Sequence, residues 1–175
     1  MSLSEIQAQA VRDAIGNRCH SKITLAINAG SAATVKSTGA TAYSIGGVFY
    51  TKAALSGQAI TITHRHDGTP VTANDAAYVQ PAETTVVYVL ALNASGTVAV
   101  VQGSYAGQSI AYSGDLSKVL TGTGGVPKLP AGYVAIGAIK VTTAAATTFT
   151  PATTALDAAG LTVTFHDLAL LPVSL

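Results

Sequence analysis

The chain has 175 residues, long enough for one domain with a substantial core, and only 10% of them are charged, against roughly 25% in a typical soluble domain. A net charge of +1 and nine scattered basic residues exclude a basic field for nucleic acid, and a single cysteine, Cys19, excludes a disulfide framework and a multi-cysteine zinc site. Hydrophobic residues reach 49% without any Trp, most of them Ala and Val, so little charge is left to keep copies apart in solution.

Residues 2–15 are expected to form a short helix. Ser4 can accept from an exposed amide of the first turn, and Glu5 suits the positive end of the helix dipole. Ile6, Ala10 and Val11 fall on one face at three- and four-residue spacing, and Gly16-Asn17 ends the pattern. A helix this short is marginal alone. Residues 1–20 are therefore read as an arm, with Ile6, Ala10 and Val11 as contacts to a shell or a neighbouring subunit. The start carries no basic segment followed by an apolar run, and no window reaches the ~18 apolar residues of a membrane helix. A soluble protein made in the cytoplasm, without membrane contact, is expected.

From Lys22 the period changes to two. Ile23, Leu25 and Ile27 alternate, and Thr34–Thr38 reads as a short strand. Ala42–Ile45 and Val48–Thr51 flank Gly46-Gly47, a hairpin with a two-residue turn that tolerates positive φ. Gln58–His64 alternates again, Asp67-Gly-Thr-Pro70 is turn chemistry, and 71–82 reads as a polar surface loop. The clearest hairpin spans 84–102, with Asn93, Ser95 and Gly96 at its turn. From Thr84 to Gly114 it carries no Asp, Glu, Lys or Arg. Val87, Val89, Val98 and Val100 are its candidates for core or trimer packing. A short strand over 108–112, a glycine connection over 121–125, and strands over 132–142 and 161–165 complete the pass. Asp157–Gly160 is the last turn. Many short strands with Gly, Pro and Asn between them predict a mainly β domain over 21–175, an antiparallel sandwich or barrel.

Site chemistry is sparse. His64 and His66 share a strand face in this reading with Ile60 and Ile62, and two imidazoles at that spacing can chelate a metal or ring a threefold axis. Two ligands without a third in reach read more simply as solvated residues beside a turn. Asp67, Asp75 and Glu83 lack the oxygen-ligand spacing of a calcium loop. No Ser sits in a Gly-x-Ser-x-Gly elbow, and the run Gly122-Thr-Gly-Gly125 lacks the Lys-Ser/Thr of a phosphate loop. No enzyme activity, metal or cofactor is expected.

The segments "Val-Tyr-Val-Leu-Ala-Leu-Asn-Ala-Ser-Gly-Thr-Val", "Leu-Pro-Ala-Gly-Tyr-Val-Ala-Ile-Gly-Ala-Ile-Lys-Val" and "Phe-Thr-Pro-Ala-Thr-Thr-Ala-Leu-Asp-Ala-Ala-Gly-Leu-Thr-Val-Thr-Phe-His-Asp" resemble small virion proteins of tailed bacteriophages, of the capsid-decoration (cement) or head-fibre kind. The resemblance covers roughly residues 84–168. It implies a jelly-roll-like homotrimer on the outside of a phage capsid that clamps subunits of the major capsid protein. The other reading is a head- or tail-fibre module for host carbohydrate. Against it, Tyr43, Phe49, Tyr50, Tyr78, Tyr88, Tyr105 and Tyr112 are spread along the chain instead of clustered.

Overall fold

The computed structural model describes residues 16–71, 79–103 and 127–169. The helix expected over 2–15, with Ile6, Ala10 and Val11, lies outside the described residues, as do the strand expected over 108–112 and the connection 121–125. Among the described residues there is no helix, and the strands form three antiparallel sheets. The mainly β, antiparallel class expected from the sequence is therefore what forms.

The largest sheet has four strands: β7 (Thr85–Asn93), β8 (Val98–Gln102), β9 (Tyr133–Thr143) and β10 (Leu161–Asp167), in the order β10-β9-β7-β8. The β7–β8 turn follows from its residues. Asn93 Oδ1 accepts from the amides of Ser95 (3.1 Å) and Thr97 (2.9 Å), and Gly96 takes φ +74. A second sheet has the order β1-β4-β5, from Arg18–Cys19, Thr41–Ile45 and Val48–Lys52. Gly46 and Gly47, at φ +56 and +78, make the two-residue hairpin turn that the Gly-Gly pair predicts. The third sheet has the order β2-β3-β6, from Leu25–Ile27, Thr34–Ser37 and Gln58–Ala59.

One face of the four-stranded sheet carries both smaller sheets. Val86, Tyr88, Leu90 and Leu92 of β7 join Val100, Ile136, Ile139 and Val141 in a cluster with Cys19 and Tyr43 from the second sheet and Leu25 and Val35 from the third. Fully burying side chains of this size is worth roughly 1.5–3 kcal/mol each, which makes the cluster the main stabilising element. The β7–β9 register shifts between Leu90 and Ala91, passing from Gly137 to Ala135 and leaving Ile136 over. This bulge lets Val134 and Ile136 reach the same core as Ile139 and Val141, which an unbroken period of two would forbid. Gly137 sits at the bulge because a Cβ there would lie 2.6 Å from Leu25 Cδ1.

The opposite face is also closed along β7. Val87 and Val89 pack with Ala138, Leu129 and Leu168. A strand covered on both faces reads as a continuous apolar run, and that is why this hairpin carries no charge.

Three expectations change. Arg18–Cys19, counted with the arm, pairs with Ser44 and Tyr43, so the β-structure begins before residue 21. The strand expected over Gln58–His64 keeps only Gln58–Ala59 in a sheet, and Thr63–His64 turns to dock on β8 instead. Within the loop expected over 71–82, Gln80 is completely buried and exchanges two backbone hydrogen bonds with Phe149 (2.8 and 3.1 Å). Its amide side chain can reach three partners inside the core, which composition alone does not reveal.

Candidate interaction surface

The structure places the valines named from the sequence in the interior of a single chain. Val100 belongs to the main core, Val98 packs partly buried against it, and Val87 and Val89 form the second cluster.

His64 and His66 do not share a strand face. His64 makes isolated bridges to Pro70 and Val101, its Nδ1 lies 2.9 Å from Thr63 Oγ1, and its ring meets the edge of Tyr133 at 5.6 Å. Burial pushes its pKa below the usual imidazole value. His66 is exposed in the following turn. There Asp67 Oδ1 accepts from the amide and hydroxyl of Thr69 (2.9 and 2.6 Å), which holds the carboxyl below the usual range. Among the described residues no group of three or more His, Cys, Asp or Glu side chains converges on a point where a metal could sit.

Cys19 is buried, and its thiol donates to Ser21 O at 3.2 Å. Burial raises its pKa, the Ser21 contact lowers it and the charge of Asp167 raises it further. Both the burial and the raised pKa disfavour the thiolate form and suit Cys19 to packing. Asp167 instead accepts from the Thr24 amide at 2.7 Å, where Thr24 holds φ +46.

Among the described residues the two most exposed large hydrophobic side chains sit at the tip of the β4–β5 hairpin, with Val79 next. Val48 is 52% and Phe49 61% exposed, although both flank a well-formed turn. Sequence alternation does not predict this, because it treats β5 as an ordinary half-buried strand. The tip is held in place from behind. Ser44 Oγ donates to Gly16 O (3.0 Å), and His20 Nε2 lies 2.9 Å from Ser44 Oγ. The His20 ring tilts against Phe49 at 5.1 Å. Asn17 Oδ1 accepts from the Gly46 amide at 2.8 Å, and the Gly47 amide donates to Gly16 O at 3.4 Å. Gly16 and Asn17 are thereby fixed beside the Gly46-Gly47 turn. An adjacent pair of large apolar side chains on a braced turn is suited to docking on another protein.

Among the described residues, two of the remaining aromatics lie inside the core and are not exposed to a sugar. Tyr43 and Tyr88 are buried, Tyr43 stacking on Tyr50 at 5.5 Å and Tyr88 meeting Phe149 edge-on at 5.8 Å. Tyr78, Tyr105 and Tyr112 lie outside the described residues. No protein-family model, no curated protein and no solved structure matches the chain.

Proposed function

We propose that the chain is a structural protein of a tailed-phage virion, a capsid-decoration protein that binds the outer surface of the shell as a homotrimer. It acts through shape and contact area, without catalysis or a cofactor. The observation that carries this reading is the braced hairpin tip with Val48 and Phe49 exposed. The resemblance over residues 84–168 supplies the class of partner, the major capsid protein. The layering of two small sheets on one face of a larger one suits a sandwich of the jelly-roll kind. The mechanism is mass action. A ligand that binds only the assembled shell stabilises it by RT ln(1 + [L]/Kd), about 2.7 kcal/mol per site at a hundredfold excess over Kd.

Electron cryomicroscopy of the virion that carries this chain tests the reading. Density for the β-domain at junctions between capsid subunits is expected, with the hairpin tip turned to the shell. Density confined to a tail tip would replace this reading with the host-binding one. The internal placement of Tyr43 and Tyr88 disfavours that alternative.

A further inference from the structure

The two edges of the four-stranded sheet are finished differently. At β8 the edge is closed. The amides of Thr63 and His64 donate to Val100 O (2.9 and 3.3 Å), and the Gln102 amide donates to His64 O (3.1 Å). At β10 no strand lies beyond among the described residues. The bonds at its ends fix which way its backbone points. Ala144 N donates to Gly160 O (2.8 Å) and Leu168 N to Ile136 O (3.3 Å), bracketing a register that runs from Leu161↔Thr143 to Asp167↔Gly137. In an antiparallel ladder bonded and non-bonded pairs alternate. Thr162, Thr164 and His166 therefore direct their backbone groups to β9, and Leu161, Val163 and Phe165 direct theirs outward. The Leu161 amide is taken by Ala158 O at 3.2 Å. The outward groups of Val163 and Phe165 and the Leu161 carbonyl have no backbone partner among the described residues.

Exposed edges are usually guarded by charge, proline, a bulge or shortness. β10 has seven residues in unbroken register and no charge or proline between Leu161 and Phe165. Leu161, Val163 and Phe165 pack on the main core and are partly buried, so the strand offers an uncharged edge whose side chains are already anchored. The edge of β5 is shorter and ends on Lys52.

We propose that the β10 edge pairs with the same edge of a second copy, antiparallel about a two-fold axis through Val163. Val163 exchanges two backbone bonds with its counterpart. Phe165 donates to the Leu161 carbonyl of the other copy, and the reverse, for about four bonds in all. Thr162 falls opposite Thr164 of the other copy. Within the chain the same kind of pair already brings the Thr85 and Thr142 hydroxyls to 2.8 Å. Asp167 lies beyond the paired span, so no like charges face each other. Because β8 is closed, a head-to-tail extension of the sheet through β10 and β8 is blocked, which leaves the isologous contact. It joins copies by twos, stands independently of the decoration reading, and is additional to any threefold contact.

Val163→Pro separates this contact from folding, because the amide it removes points outward, the β9 ladder bonds stay, and the proline ring keeps most of the apolar bulk against the core. Light scattering of the full chain should give an even number of subunits, halved by Val163→Pro with little change in Tm. Thr162→Pro, which removes an inward donor, should lower Tm instead. Oxidation of Thr162→Cys/Thr164→Cys should give a disulfide-linked dimer on a non-reducing gel, with neither single variant linking. This holds the proposal to account if Val163→Pro does not fold. A wild-type monomer, a trimer whose mass Val163→Pro leaves unchanged, or a double-cysteine variant that stays unlinked overturns it. An unaffected trimer would leave the decoration reading standing, whereas a β10-linked dimer absent from capsids would end that reading and keep the pairing.

Discussion

Gln80 offers the sharpest test of how the core is held. Its Nε2 donates to Val141 O (3.0 Å) and Thr84 O (3.1 Å), and its Oε1 accepts from Tyr88 Oη (3.0 Å), all within a fully buried side chain. These bonds tie the segment entering β7 to β7 itself and to β9. Leu at this position keeps the volume and removes all three bonds. At about 1 kcal/mol net per bond, Gln80→Leu should lower stability by about 3 kcal/mol. For a chain of this size that lowers Tm by roughly 6–12 °C. Gln80→Ala should cost more, because it adds a cavity to the same loss. Thermal and urea unfolding followed by circular dichroism measure both. The bond to Tyr88 is isolated by a double-mutant cycle with Tyr88→Phe, which should show a coupling of about 1 kcal/mol. A fall in Tm of under about 2 °C for Gln80→Leu, or strictly additive effects in the cycle, would refute the claim that this amide organises the core.

Three further outcomes follow from the geometry. Gly137→Ala should cost about 1–3 kcal/mol in urea unfolding, because its Cβ would press on Leu25 Cδ1 at 2.6 Å and Ile23 Cδ1 at 3.0 Å within the core. Asp167→Ala should cost about 1 kcal/mol through the lost Thr24 bond, while Asp167→Asn, which keeps an acceptor, should lie near wild type. The Lys22 ammonium, 3.9 Å away on a largely exposed side chain, adds little, so the cost of Asp167→Ala relative to wild type should change little with salt. His64 and His166 both have pKa values lowered chiefly by burial; at His166 the charge of Lys140 lowers it further and that of Asp167 opposes. The unfolded chain then takes up these protons first. Stability should be complete above the ordinary imidazole pKa of about 6.5 and fall as pH drops through it toward the folded values. Urea midpoints at successive pH values should show this decline, and His166→Gln should flatten it. A midpoint that rises on mild acidification contradicts the assignment.

Turns were the most legible part of this chain in sequence. Gly46-Gly47 and Asn93-Ala-Ser-Gly96 each supply the φ values and side-chain acceptors of one turn type, so both hairpins could be read from a few neighbouring residues. Long-range positions were not legible. Gln80 lies in a segment whose composition is that of a loop, and only Tyr88, Val141 and Phe149, distant in sequence, give it a reason to be buried. Ile60 keeps the inward position its alternation suggests, but beyond it the chain leaves the sheet, because the β8 edge offers Val100 and Gln102 as partners to Thr63 and His64. Periodicity reports which side of a segment is apolar. It does not report which edge the backbone will join.

The missing charge divides on the same line. Along β7 it needs no second molecule, since Val86, Tyr88 and Leu90 fill one interior and Val87 and Val89 another. An intermolecular surface drawn from these residues would have to open the domain first. The explanation that invokes other copies is therefore confined to places where exposed apolar side chains or outward backbone groups have no partner among the described residues. Two such places are the hairpin tip of Val48 and Phe49 and the edge from Leu161 to Phe165. They differ in kind: the first presents side chains to a groove, and the second presents backbone to a strand. On the proposed decoration reading, the first would meet the shell and the second a neighbouring copy. A charge at Phe49 should weaken only the first, and Val163→Pro only the second.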